Sequence, residues 1–91
     1  MLRGIIKGNI VSTRKQEALV GAKFMEVEIL ENGKATGKYL IAIDSVGAGI
    51  GEMVLVATGS AARIGCDHEN APIDAAIVGI IDSGTGLEIL D

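Results

Sequence analysis

Four consecutive residues carry most of the chain's potential for chemistry: Cys66, Asp67, His68 and Glu69. All four side-chain types can bind a metal ion, and a cysteine near a histidine could serve as nucleophile and base. The spacing argues against both, because neighbouring residues in an extended loop point apart. The chain has one cysteine and one histidine, so neither a tetrahedral site nor an oriented catalytic pair can be completed. We therefore expect a solvated loop, with no metal, no cofactor and no catalytic role.

A second candidate is the glycine-rich run Gly47-Ala48-Gly49-Ile50-Gly51, which follows an apolar strand as a phosphate-binding loop would. Its spacing is G-x-G-x-G, however, and Glu52 opens another strand where a phosphate-binding helix would begin. The pattern favours a structural turn with unusual backbone angles instead. Asp44 closes the preceding strand, and we expect its carboxylate to accept hydrogen bonds from amides of this turn.

Periodicity predicts the strands of the first half of the chain. Leu2 to Val11 and Lys23 to Leu30 alternate between apolar and polar residues, which indicates strands with one buried face. On the second of these, Glu28 is expected to face water. Asn32-Gly33 then predicts a tight hairpin into a returning strand over Lys38 to Ile43.

The second half of the chain contains shorter elements. Glu52 to Thr58 and Ile73 to Ile81 are predicted to be strands, and Leu87 to Leu90 a short terminal one. Between the first two, Ser60 is a good N-cap for one short helical turn. Five or six short strands leave no room for βαβ crossovers. We therefore predict an all-β fold, a small OB-like antiparallel barrel with one helical turn, that forms a single domain over residues 1–91.

Two of these strands are apolar on both faces. Met53–Ala57 and Ala75–Ile81 do not alternate, although antiparallel strands of a small domain usually meet water on one side. One explanation is a central strand covered by loops. The other is a subunit interface on the face that carries Ala76, Val78 and Ile80. We favour the interface, because the mean hydropathy of +0.43 is high for a small soluble chain and self-association would bury the excess.

The composition argues against several classes of function. Eight basic and twelve acidic residues give a net charge of −4, which repels phosphate backbones and anionic lipids. The two aromatic residues, Phe24 and Tyr39, are too few for a base-stacking platform. No apolar run reaches the roughly 18 residues of a membrane helix, and the N-terminus lacks a signal-peptide pattern. We expect no nucleic acid and no membrane as partner, and a reducing cytoplasm for the lone Cys66.

Two blocks of the sequence resemble those of a known family. Ile41–Arg63 contains A-x-D-x-V-G-A-G-x-G-E-x-V-L-V-x-x-G-S-A-A-R, and Pro72–Asp82 reads P-I-D-A-A-I-V-G-I-I-D. Both are similar to blocks of the EutN/CcmL family, the pentameric vertex proteins of bacterial microcompartment shells, including carboxysomes. The likeness starts near Met1 and runs almost to Asp91.

The resemblance implies a cyclic pentamer in a cytoplasmic microcompartment shell, where it caps vertices beside hexameric shell proteins. It implies a structural protein, not an enzyme. It also implies a narrow axial pore, which Gly47, Ala48 and Gly49 could border, and an intersubunit partner for Arg63. The alternative is an OB-type binding module for an oligonucleotide or small ligand. That alternative accounts for a barrel but not for the acidity and the missing aromatic residues.

Overall fold

Five strands close into a barrel in the computed structural model, which describes residues 1–11, 19–59, 61–62 and 74–82. Residues 61 and 62 are helical and follow the fourth strand. The order around the barrel is β1-β2-β3-β5-β4, with β4 paired to β1. The predicted all-β barrel with a helical turn between the fourth and fifth strands is confirmed. The strands are β1 (Leu2–Ile10), β2 (Lys23–Glu31), β3 (Lys34–Asp44), β4 (Met53–Thr58) and β5 (Ala75–Ile80).

One neighbouring pair of strands is parallel, which corrects the prediction of a wholly antiparallel barrel. β3 and β5 run in the same direction, with Ile43 beside Ala76 and Asp44 beside Ile77. The other four pairs are antiparallel. An odd number of strands cannot alternate direction all the way around a closed barrel. With five strands, one pair therefore has to be parallel.

The barrel core consists of apolar side chains on the inward faces of the strands, together with Ala48 from the segment between β3 and β4. Asn32 and Gly33 form the predicted two-residue hairpin, with φ of 52° and 75°. Gly4 lets β1 approach β2 closely, because an added Cβ would lie 2.8 Å from the backbone oxygen of Glu28. The core residues are Ile6, Met25, Val27, Ala42, Ala48, Val54, Val56, Ala75 and Ile77.

A second apolar cluster, which we call the outer cluster, lies outside the barrel wall. Ala62 of the helical turn, together with Leu19 and Ala22 just before β2, packs there against outward residues of β3, β4 and β5. This end of the barrel is therefore covered by the chain's own segments. The buried members are Ile43, Ala57, Ala62 and Ala76, and Leu19, Ala22, Phe24 and Val78 pack against them.

Glu28 does not face water as predicted; it is only 7% exposed. Its carboxylate lies 3.4 Å from Lys7 Nζ and accepts a hydrogen bond from the Gly37 amide at 3.1 Å. Lys7 is an extra residue in the pairing of β1 with β2, and Gly37 lies in a shifted segment of β3 opposite β2. The two bulges place both donors on the carboxylate. The charge is thus buried but paired.

Candidate functional site

The glycine-rich loop between β3 and β4 is held in place by Asp44. The Asp44 carboxylate accepts hydrogen bonds from the amides of Val46 and Ala48, each at 3.0 Å. Lys23 Nζ lies 3.6 Å from the same carboxylate and 3.5 Å from the Ala48 carbonyl oxygen. The predicted Asx-type turn is confirmed, and a lysine from β2 reinforces it.

The far side of this loop is fixed in the same way. Glu52 accepts a hydrogen bond from the Gly49 amide at 2.6 Å, and the Gly51 amide donates to the Ile6 backbone oxygen at 2.8 Å. Gly51 has a φ of 90°, the left-handed conformation that glycine adopts without strain. The amides of residues 46, 48, 49 and 51 thus already have acceptors within the chain. This agrees with a structural turn.

The three residues predicted to border a pore differ in their surroundings. Gly47 is exposed and Gly49 is half-buried. Ala48 is 1% exposed, because its methyl group belongs to the barrel core. In a single subunit, the surface near Gly47 could therefore line a passage, whereas the Ala48 side chain could not. A pore is a property of the assembled ring, so the assignment stays a prediction.

A bulge at Val78 breaks the predicted face of β5, because the pairing of β5 with β4 shifts by one residue there. Before the bulge, Ala76 faces outward into the outer cluster. Beyond it, Gly79 takes the outward position and Ile80 pairs with the inward-facing Val54. The expectation that Ala76, Val78 and Ile80 share one face is therefore wrong, since a bulge re-aims the residues that follow it.

The predicted interface residues also differ in how much of their surface is buried by their own chain. Ala76 is fully buried by its own chain, and Val78 packs against the same outer cluster. Ile80, at 42% exposure, still presents apolar surface. The covered-strand explanation therefore holds for Ala76. Arg63 lies outside the described residues.

A different apolar surface, which we call the open face, lies on the outward side of β1 and β4. Ile5 pairs there with Met53, and Arg3 pairs with Leu55. Gly79 continues the face onto β5, where the nearest side-chain atom to an added Cβ would be Leu55 Cδ1 at 3.7 Å. All five residues are half-buried. The sequence signal for this face was the missing alternation of Met53–Ala57.

β3 carries a second exposed apolar pair, which we call the β3 ridge. Tyr39 is 54% and Ile41 is 49% exposed. They alternate along the strand with Ile43 and so lie on the same side, but Ile43 is buried in the outer cluster. Sequence reasoning identified the shared side and missed that only part of it is covered.

The loop that contains the clustered cysteine, aspartate, histidine and glutamate, residues 66–69, lies outside the described residues. Within the described ranges, no three histidine, cysteine, aspartate or glutamate side chains gather as metal ligands would. Those same ranges contain no helix with the length and hydropathy of a membrane span.

Comparison with known proteins places the chain among shell proteins. The family profile described as "Ethanolamine utilisation protein EutN/carboxysome" matches residues 1–82. The carboxysome shell vertex protein CcmL of Gloeobacter violaceus is 42% identical over 81 residues, which cover 88% of this chain and 81% of that protein. The microcompartment shell vertex protein GrpN of Rhodospirillum rubrum is 42% identical over 84 residues, covering 91% and 94% respectively.

Solved structures agree with these sequence relatives. The pentameric microcompartment shell protein GrpN superposes with a TM-score of 0.82 at 42% identity, covering 90% of this chain and 94% of GrpN. An ethanolamine utilization protein EutN superposes with a TM-score of 0.86 at 35% identity, covering 100% of this chain and 91% of EutN. The likeness therefore extends from the sequence blocks to the whole barrel.

Proposed function

Because the chain belongs to the EutN/CcmL family, we propose that it is a structural shell protein that forms a cyclic pentamer and caps the vertices of a bacterial microcompartment. The observation that carries this proposal is the family match over residues 1–82, which includes all five strands. Relatives that cover most of the chain are named shell vertex proteins. The protein would accordingly reside in a shell within the cytoplasm.

The proposed role is geometrical. A layer tiled by hexagonal units is flat and cannot close, whereas a pentagonal unit at each corner supplies the curvature that closure needs. A small fivefold ring fits such a corner through its outer rim, against hexameric shell proteins. The role needs no catalysis and no cofactor, so we propose that the chain is not an enzyme.

The structure supports ring assembly through its uncovered apolar surfaces. A ring is built from head-to-tail contacts, in which one patch of a subunit meets a different patch of the next. Within the described part of the chain, the open face and the β3 ridge are candidates for such patches. Each holds residues whose apolar side chains are only partly buried by the chain itself.

The barrel order alone also fits an OB-type binding module, but the surface chemistry does not favour it. Nucleic-acid-binding OB folds stack bases on aromatic residues in a basic groove. Of the chain's two aromatic residues, Phe24 packs against the outer cluster, and the net charge is −4. The proposal therefore includes neither nucleic acid nor membrane among the partners.

Native mass spectrometry tests the assembly at low micromolar concentration. We expect one dominant species of about five chains, as a closed ring requires. A monomer or dimer as the main species would contradict the proposal.

Electron microscopy of cells that lack the protein tests the vertex role. We expect shell sheets and cargo enzymes to persist while shells become misshapen, elongated or leaky. Cells that express the protein again from a plasmid are the control and should regain closed polyhedra. Normal polyhedra without it, in a cell with no other vertex protein of this kind, would exclude the role.

A further inference from the structure

We infer that the loop between β3 and β4 contains a segment that opens and closes as a unit, and that Lys23 is the latch that holds it closed. This segment, residues 48–50, is called the hinged segment below, and its hinges are Gly47 and Gly51. Latch, hinges and segment all belong to one subunit, so the device does not depend on the proposed ring.

The two hinges are the residues of this loop that have a positive φ. Gly47 has a φ of 80° and Gly51 a φ of 90°. Apart from adjacent residues, no atom lies within 4 Å of the position that a Cβ would take at either glycine. Glycine moves between left-handed and right-handed backbone conformations without the steric barrier that a Cβ imposes. The backbone can therefore pivot at both ends of the hinged segment.

Apolar packing holds the hinged segment only weakly. The Ala48 methyl group belongs to the barrel core and is 1% exposed. Gly49 has no side chain, and Ile50 is 63% exposed. Hydrophobic stabilisation scales with the apolar area that is buried, so little of it is lost when one methyl group leaves the core. Polar contacts therefore decide whether the segment stays closed.

In the described part of the chain, three side chains hold the hinged segment through polar contacts. Asp44 Oδ2 accepts a hydrogen bond from the Ala48 amide at 3.0 Å, and Glu52 accepts one from the Gly49 amide at 2.6 Å. Lys23 Nζ lies 3.6 Å from the same Oδ2 atom and donates to the Ala48 carbonyl oxygen at 3.5 Å. Lys23 thus contacts both the segment and the carboxylate that anchors it.

The position and exposure of Lys23 make it the latch. Asp44 ends β3 and Glu52 directly precedes β4, whereas Lys23 ties the segment to a third strand, β2. The Asp44 side chain is 1% exposed and that of Lys23 is 53% exposed. Without the ammonium group, the carboxylate would be buried with no cation beside it, and opening the segment would let water reach it. Loss of this one charge therefore favours the open loop and removes no strand pairing.

Hydrogen–deuterium exchange of the whole protein, followed by mass spectrometry of its peptic peptides, tests the latch. In Lys23→Gln we expect the peptide that spans residues 45–52 to exchange about tenfold faster, the order expected for one lost charge-assisted contact. Lys23→Arg keeps the positive charge and should exchange as the wild type does. Lys34→Gln removes an exposed lysine at the other end of β3 and is the matched control, with unchanged exchange in this peptide.

A second variant weakens the other anchor. Glu52→Gln removes the charge that accepts the Gly49 amide and leaves Lys23 in place. The same peptide should again exchange faster. Native mass spectrometry of the same samples reports the proposed ring separately, so a failure of the ring would leave this test valid.

Faster exchange confined to residues 45–52 in Lys23→Gln and Glu52→Gln, with wild-type exchange in Lys23→Arg, supports the latch. Unchanged exchange of this peptide in either glutamine variant overturns it, as does a Lys23→Arg loop that exchanges as fast as the Lys23→Gln loop. Exchange that rises equally in all strands, or a Lys23→Gln chain that does not fold, also overturns it. Lys23 would then stabilise the whole barrel and not one segment.

Discussion

The outer cluster and the open face are two apolar regions on the outward surface of this barrel that differ in what covers them. At the outer cluster, Ile43, Ala57 and Ala76 are buried together with Ala62 of the helical turn and with Leu19 and Ala22 just before β2. At the open face, Ile5, Met53 and Leu55 stay half exposed. Both regions are aliphatic, so hydrophobicity alone does not distinguish them. The same kind of strand surface can thus be buried within a subunit or stay half exposed, depending on which segments pack against it.

A charge placed in the outer cluster should have the largest effect on the stability of the subunit. Ala76→Arg would bury an unpaired guanidinium in the outer cluster, which costs several kcal/mol, on the order of the whole stability of a small domain. We expect the subunit to unfold or aggregate, as judged by soluble yield and circular dichroism. Val20→Arg adds the same charge at an exposed apolar position and is the control. A folded, soluble Ala76→Arg subunit would show that the outer cluster can rearrange to accommodate a charged side chain.

An arginine placed in the open face should prevent assembly while the subunit still folds. Leu55→Arg lies on the half-exposed face, so we expect the isolated subunit to lose about 1 kcal/mol or less. The ring should be lost, because the charge would be desolvated at the contact. Circular dichroism should stay native-like while native mass spectrometry shows monomers. An intact pentamer would place the subunit contact elsewhere.

Two isoleucines on the outward side of β3 provide the finest comparison. Ile43 is 2% and Ile41 49% exposed. Ile43→Ala should lower the free energy of unfolding of the subunit by about 3 kcal/mol through the cavity it leaves, and Ile41→Ala by less than about 1 kcal/mol. Urea unfolding measures both, in the Leu55→Arg background so that assembly does not contribute. Equal losses would mean that the boundary between the outer cluster and the β3 ridge is misplaced.

Local pattern predicted most of the fold. The alternation in β1 and β2 and the Asn32-Gly33 hairpin depend on neighbouring residues, and both are confirmed. The parallel pairing of β3 with β5 depends on the closure of the whole barrel, which alternation within one strand does not encode. Glu28 reads as an exposed glutamate in sequence, since its partners Lys7 and Gly37 reach it only through bulges in two other strands.

The residues of the candidate site were harder to predict, because their positions also depend on contacts between segments that are distant along the chain. An apolar run such as Ala75–Ile81 shows no mark of a bulge, so alternation was extended through Val78 and assigned Ile80 to the wrong face. Covering segments that are distant along the chain decide whether a residue such as Ala76 is exposed. The excess of apolar strand surface was correctly seen in the sequence. Its location required the three-dimensional path of the chain.

The pairing of Glu28 has a consequence for how the barrel reaches its correct register. A slip of β2 by one residue would move the carboxylate away from both Lys7 and Gly37. A charge buried without partners costs several kcal/mol. We therefore expect this single acidic residue to disfavour misaligned barrels, because its two partners lie across two different strand pairings.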